Sequence, residues 1–261
     1  MALFKELAAE HGYRYVTPEP YHDHAKLRRA IFRAIEDDEQ TLIVNHFWYP
    51  EIQYGGVDDS SVIDYMNVVR DPAARAVSDY YYLRYGSDRN PKARAAYLEE
   101  HGDLPMDACY GDGSSDGGSR NRGSSRFENS PEKQTPCRLP TNVQADYFCG
   151  REGHPCHEAS NAPLKARLAR ANMDAFYTVG VNERFLDTVR MLEATYPSFF
   201  QGLTDMYERE QRREGGRNQN ANKGNASAAL VAMLERDNAI DVELWRRANA
   251  RLDEYLRMCL V

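Results

Sequence analysis

The residues of this 261-residue chain best suited to chemistry lie in one run, Asn67-Val68-Val69-Arg70-Asp71-Pro72-Ala73-Ala74-Arg75-Ala76-Val77-Ser78. A β-branched apolar segment, Val62 to Val69, stops at an arginine, and Asp71-Pro72 then opens a helix. Asp71 is a good N-cap, and proline suits the first turn, where its missing N–H costs nothing. Arg70 therefore sits at a strand end beside a helix N-terminus, whose free N–H groups favour anions. Ser78, two turns along, shares that anion only if the anion lies against the helix flank. Arg75 faces the same anion or pairs with Asp71. The spacing describes a phosphate site at the edge of an α/β sheet.

His46 is the second group, in Val44-Asn45-His46-Phe47-Trp48-Tyr49 at the end of an apolar segment. Histidine is the default general base near neutral pH. Alternatively it is a partly buried strand-end residue, and its type alone does not decide. The third group is Cys149, His154, Cys156 and His157, crowded into nine residues. A closed zinc site usually draws its ligands from two separated pairs, so a disulfide is favoured over a metal. His22 and His24 are spaced to share a metal but read as exposed residues near a helix start.

These groups need a scaffold of alternating elements. Helical spacing places Leu3, Phe4, Leu7 and Ala8 on one face of a helix running to His11. A strand is predicted at Tyr13 to Thr17, a helix at Ala25 to Ile35, a strand at Thr41 to Asn45 and another at Val62 to Val69. The helix opened by Asp71 runs to about Tyr85. Gly111 to Pro136 offers almost nothing to bury and reads as a disordered insertion in one domain spanning 1–261. Helix returns at Pro163 to Asp174, then a strand at Phe176 to Val181 and a helix capped by Asn182-Glu183. Arg209 to Asn225 is polar and reads as a loop. Trp245, Ala248, Leu252, Tyr255 and Cys259 form the core stripe of a last helix. The alternation predicts an α/β fold, a mostly parallel sheet flanked by helices.

Hydrophobic residues are 42% and charged residues 28%, ordinary for a globular domain. No apolar run is long enough to span a membrane, and no signal-peptide pattern opens the chain. The formal net charge of −7 argues against nucleic acid as a partner and requires a local basic patch for any polyanion. Five cysteines allow two disulfides and a spare thiol, for which Cys259 is the candidate. Asn225-Ala226-Ser227 is a glycosylation sequon.

The R-D-P-x-x-R-x-x-S run resembles the 3′-phosphate segment of sulfotransferases that use 3′-phosphoadenosine 5′-phosphosulfate (PAPS). Asp79-Tyr80-Tyr81-Tyr82-Leu83-Arg84-Tyr85-Gly86, Tyr147-Phe148-Cys149-Gly150 and Val179-Gly180-Val181 narrow the likeness, as does Phe199-Phe200-Gln201-Gly202. With these motifs the chain resembles the uronyl and heparan sulfate 2-O-sulfotransferases from about Leu3 to Met258. The resemblance implies a P-loop-NTPase-like sulfotransferase fold and sulfuryl transfer from PAPS, without a metal, to the 2-hydroxyl of uronic acid in a sulfated polysaccharide. It also implies His46 as base and Arg70 and Ser78 as 3′-phosphate ligands, with Arg217 and Lys223 in a loop closing over the nucleotide. Arg84, Arg89, Lys92 and Tyr80 would meet the acceptor. The pairings Cys109–Cys137 and Cys149–Cys156, a lumenal Golgi location with a membrane anchor, and homotrimers are likewise implied by it.

Departures are visible. Val44 stands where some relatives carry a second histidine, and Asp79 where heparan-acting relatives carry a tyrosine. Glu10 to Thr17 tilts the likeness towards the dermatan/chondroitin enzyme. No lysine-bearing phosphosulfate loop or first strand precedes the first helix, which suggests an incomplete sequence. The alternative expectations are a non-catalytic glycan-binding relative that has lost donor binding, and a zinc-dependent structural protein built on the Cys149 to His157 cluster.

Overall fold

The structure, a computed structural model, describes residues 2–18, 23–44, 46, 48–54, 57–58, 63–85, 95, 99, 105–110, 139–151, 153–214 and 224–259. The first unit is a strand–helix–strand: α1 (Ala2–His11) leads to β1 (Arg14–Val16), α2 (His24–Glu36) and β2 (Thr41–Ile43). β1 and β2 pair in parallel with Tyr15 opposite Leu42. The crossover helix starts where Asp23 accepts from the Lys26 N–H at 2.9 Å. Leu27 and Ile31, one turn apart, are its buried face, and they meet Ile52.

A short antiparallel hairpin, β3 (Gln53–Tyr54) with β4 (Val57–Asp58), precedes β5 (Tyr65–Val69) and α3 (Pro72–Tyr85). Then come α4 (Met106–Tyr110), α5 (Val143–Cys149), α6 (Ala162–Phe176) and β6 (Tyr177–Val181), which pairs in parallel with β5. α7 (Phe185–Thr195) and the short α8 (Pro197–Phe200) come next, and α9 (Leu203–Glu214), α10 (Ala228–Asp237) and α11 (Ala239–Cys259) follow them. Strands and helices are thus mixed, with two parallel pairs, as an α/β reading requires. Among the described residues no hydrogen-bonded strand joins the two pairs into the single sheet expected.

The main core forms around β5 and β6. Val69, Val179 and Val181 meet Phe148 of α5, Met173 of α6, Val189 of α7 and Leu252 of α11. Burying such side chains stabilises by about 1.5–3 kcal/mol each. A second cluster joins Ala76, Val77 and Tyr80 of α3 to Met106 of α4 and Leu230 and Met233 of α10.

Three expectations need correction. Residues 209–214, expected as loop, finish α9, because Leu203 and Met206 are buried and Arg212 pairs with Glu208 one turn back. Asn182-Glu183 does not cap α7; these residues form a 3₁₀ turn with Arg184, and the Glu183 carboxylate is used elsewhere. Arg75 pairs not with Asp71 but with Asp79 one turn further on, at 2.7 Å. The expected insertion, Arg89, Lys92, Cys137, Arg217 and Lys223 lie outside the described residues, as do the side chains of Arg84, Cys109 and Cys259. Among the described residues no helix is long and apolar enough to cross a membrane.

Candidate functional site

Arg70 follows the C-terminal end of β5, and the turn into α3 is built as its residue types require. The Asp71 carboxylate accepts from the Ala74 N–H at 2.7 Å, closing the first turn behind Pro72. A residue far away in sequence holds the arginine. The Gln144 side chain of α5 accepts from the Arg70 N–H at 2.7 Å and donates to the Arg70 carbonyl at 2.8 Å. This reciprocal pair satisfies both backbone groups at the point where the β-ladder ends.

Gln144 is itself fixed. Asp241, wholly buried at the start of α11, accepts from the Gln144 N–H at 3.0 Å and the Ala145 N–H at 2.8 Å, capping α5 from outside. Burial pushes the Asp241 carboxyl up to about 6, against the opposing pull of the Arg75 charge and the two N–H donors. Glu183 completes the frame. It accepts from the Asp71 N–H at 3.2 Å and the Trp245 indole N–H at 3.3 Å, and lies 3.8 Å from Arg70 Nε. Arg70 Nε is buried without a hydrogen-bond partner, while the side chain as a whole is 31% exposed. The guanidinium is thus ion-paired with Glu183 only at 3.8 Å, and its partly exposed fork beside a helix N-terminus suits an anion with several oxygens.

Ser78 is half-buried on α3, two turns beyond this frame. Tyr80 on the same helix is wholly buried, and Tyr81 nearly so, in the core with Met106 and Leu230. Tyr80 therefore has no open ring face for a sugar; Tyr82, 56% exposed, does.

His46 lies on the other parallel pair, three residues beyond β2, and its side chain is exposed. The chain on both sides of it is tied down. The Val44 N–H donates to the Val16 carbonyl at 2.9 Å, and the Tyr49 N–H to the Tyr147 carbonyl at 3.1 Å. The Tyr49 ring is buried and stacks on Phe176 with centroids 5.3 Å apart.

Cys149 and Cys156 are joined as a disulfide. Together with His157 they are the one group among the described residues with metal-ligand spacing, but the two sulfurs are spent on each other. The zinc reading fails for that reason. His154 caps the 3₁₀ turn instead, accepting from the Cys156 N–H at 3.2 Å.

Sequence reasoning missed Gln144, Glu183, Asp241 and Trp245. Only the helix-start position of Glu183, just after an apolar strand, carried any local hint.

No family model matches the chain. Among curated proteins, heparan sulfate 2-O-sulfotransferase 1 of Mus musculus is 32% identical over 164 residues, covering 62% of this chain and 39% of that protein. The Xenopus laevis protein of the same name is 34% identical over 145 residues, covering 55% and 34%. Heparan sulfate 2-O-sulfotransferase hst-2 of Caenorhabditis elegans is 30% identical over 149 residues, covering 55% and 38%. The aligned stretch thus spans well under half the length of these relatives.

Proposed function

We propose that this chain, a sequence relative of the heparan sulfate 2-O-sulfotransferases, acts in PAPS-dependent sulfuryl transfer to the 2-hydroxyl of uronic acid residues in a glycosaminoglycan. The relatives' names support a heparan-type acceptor over the dermatan/chondroitin one. The observation that carries the reading is the clamped Arg70, whose partly exposed guanidinium, held by Glu183 only at 3.8 Å, stands beside the Asp71-capped start of α3. That arrangement fits one end of the donor, its 3′-phosphate.

In this reading the donor supplies the sulfuryl group, and the chain supplies position and proton transfer. Arg70 holds the 3′-phosphate through its planar fork and Ser78 adds a hydroxyl donor. His46 accepts the proton of the acceptor 2-hydroxyl as its oxygen attacks the donor sulfur, while the sulfur–oxygen bond to the 5′-phosphate breaks and 3′-phosphoadenosine 5′-phosphate leaves. Arg84, Arg89 and Lys92 meet acceptor carboxylates and sulfates, and Arg217 and Lys223 the nucleotide. A P-loop-like sulfotransferase fold and a lumenal Golgi location belong to the same proposal; the Cys149–Cys156 disulfide supports an oxidising compartment.

Calorimetric titration tests it. The product nucleotide, 3′-phosphoadenosine 5′-phosphate, should bind more tightly than adenosine 5′-phosphate, and Arg70→Ala should weaken it about ten- to a hundredfold, as loss of a charge-assisted contact implies. Equal affinity for the two nucleotides would overturn the assignment. Absence of nucleotide binding with retained heparin affinity would favour a non-catalytic glycan-binding protein.

A further inference from the structure

A buried polar cluster lies beside the His46 segment and touches the frame around Arg70 only through the Asp146 charge, which acts on Asp241. Asp146 of α5 and Lys165 of α6 are each only 8% exposed and form an ion pair at 2.6 Å. His157 joins them: its Nδ1 lies 3.2 Å from the same Asp146 oxygen. Its Nε2 lies 3.0 Å from the Gly150 carbonyl and 3.2 Å from that of Arg151. Both ring nitrogens thus have oxygen atoms within hydrogen-bond reach, which fixes the plane of the ring. The Cys149–Cys156 disulfide clips the segment that carries it to the end of α5.

A buried ion pair rarely stabilises a fold more than a well-packed apolar pair would, so its presence asks for another explanation. The explanation is what lies on the ring. Trp48 packs on His157 in a tilted arrangement, with centroids 4.2 Å apart and an interplanar angle of 31°. His24, at the start of α2, approaches the same indole at 5.8 Å. Trp48 is two residues beyond the exposed His46, and Val44, two residues before it, is bonded to β1. His46 therefore lies between two fixed points, Val44 and Trp48.

We infer that His157, held by Asp146 and Lys165, is a positioning residue that seats Trp48 and thereby aims the His46 imidazole. The inference rests on the reading of His46 as the acceptor base, and deepens it. A general base misplaced by about 1 Å loses about a hundredfold in rate, so an anchor at Trp48 is worth a buried charge. It also gives Asp146, Lys165 and His157, none of which touches the proposed reactants, a shared purpose.

The test compares Trp48→Ala, His157→Ala and the conservative Trp48→Phe, which keeps an aromatic face on His157. Two readouts are taken. The first is the His46 imidazole signal in spectra of histidine-labelled protein; the second is kcat and KM for sulfuryl transfer to desulfated heparin. Trp48→Ala and His157→Ala should broaden or shift the His46 signal and lower kcat about ten- to a hundredfold with nucleotide affinity unchanged, whereas Trp48→Phe should retain both. A His46 signal indifferent to Trp48→Ala overturns the anchor. If the signal responds as expected but the wild-type protein transfers no sulfuryl group, the anchor stands and the catalytic reading falls.

Discussion

Asp241 offers the sharpest test of the frame behind Arg70, because its carboxyl is wholly buried yet accepts two backbone N–H groups and feels Arg75. Burial dominates and raises the group from 3.8 to about 6. One unit corresponds to about 1.4 kcal/mol, so the native state prefers the protonated form by about 3 kcal/mol relative to the unfolded chain. For an acid raised in the native state, this contribution is complete below the unfolded value. It is lost as pH rises through the folded value, because the native state still holds a proton that the unfolded chain has released. Wild-type stability should therefore fall by about 3 kcal/mol from this group between pH 3 and pH 7.

Asp241→Asn removes the titration but turns an amide N–H towards the Gln144 or Ala145 N–H, losing one cap bond worth about 1 kcal/mol. The variant should be the less stable protein near pH 3 by about 1 kcal/mol and the more stable by about 2 kcal/mol at pH 7. Urea unfolding of both proteins at each pH, followed by far-ultraviolet circular dichroism, reads the difference directly and cancels the other carboxylates. A constant difference, or a wild type that gains on the variant as pH rises, would refute the reasoning. It would mean that the N–H donors and the Arg75 guanidinium outweigh burial.

Gln144→Leu keeps the volume but strips both bonds from the Arg70 backbone; unfolding midpoints should report a loss of about 2–4 kcal/mol, and 3′-phosphoadenosine 5′-phosphate should bind less tightly. Gly180→Ala should cost about 1–3 kcal/mol, because a Cβ there would overlap Thr188, whose hydroxyl bonds the Val181 backbone. Thr188→Ser, which removes the colliding methyl and keeps the hydroxyl, should restore much of that loss in a thermal melt. Replacing Cys149 and Cys156 together by alanine opens a loop closed by cysteines seven positions apart and should cost about 2.5 kcal/mol, read by urea unfolding against wild type.

What local chemistry dictates was legible in the residues themselves. The helix opened by Asp71-Pro72 starts where the cap and proline demand, with Asp71 bonded to Ala74. The amphipathic α2, the β-branched β5 and β6, and the striped α11 also lie where their periodicities place them. α5 was not legible. Val143, Gln144, Ala145, Asp146, Phe148 and Cys149 are all buried, so the segment has no polar face and no amphipathic signal. Nor could α9 be told from a loop, because its apolar anchors Leu203, Met206 and Tyr207 lie in its first half and a polar stretch follows them.

The motif by itself determined that a guanidinium would stand at a strand end beside a capped helix, since strand, cap and proline are neighbours in sequence. Tertiary structure decided who holds it. Gln144 is 74 positions from Arg70 and Glu183 is 112 from Asp71, while Asp241 is 97 from the Gln144 N–H it receives. A polar group buried by packing takes whichever complementary partner the packing delivers, and no short-range pattern encodes that choice. The same holds for His157: its two cysteine neighbours suggested a metal or a disulfide, and only the fold brought Asp146, Lys165 and Trp48 around its ring.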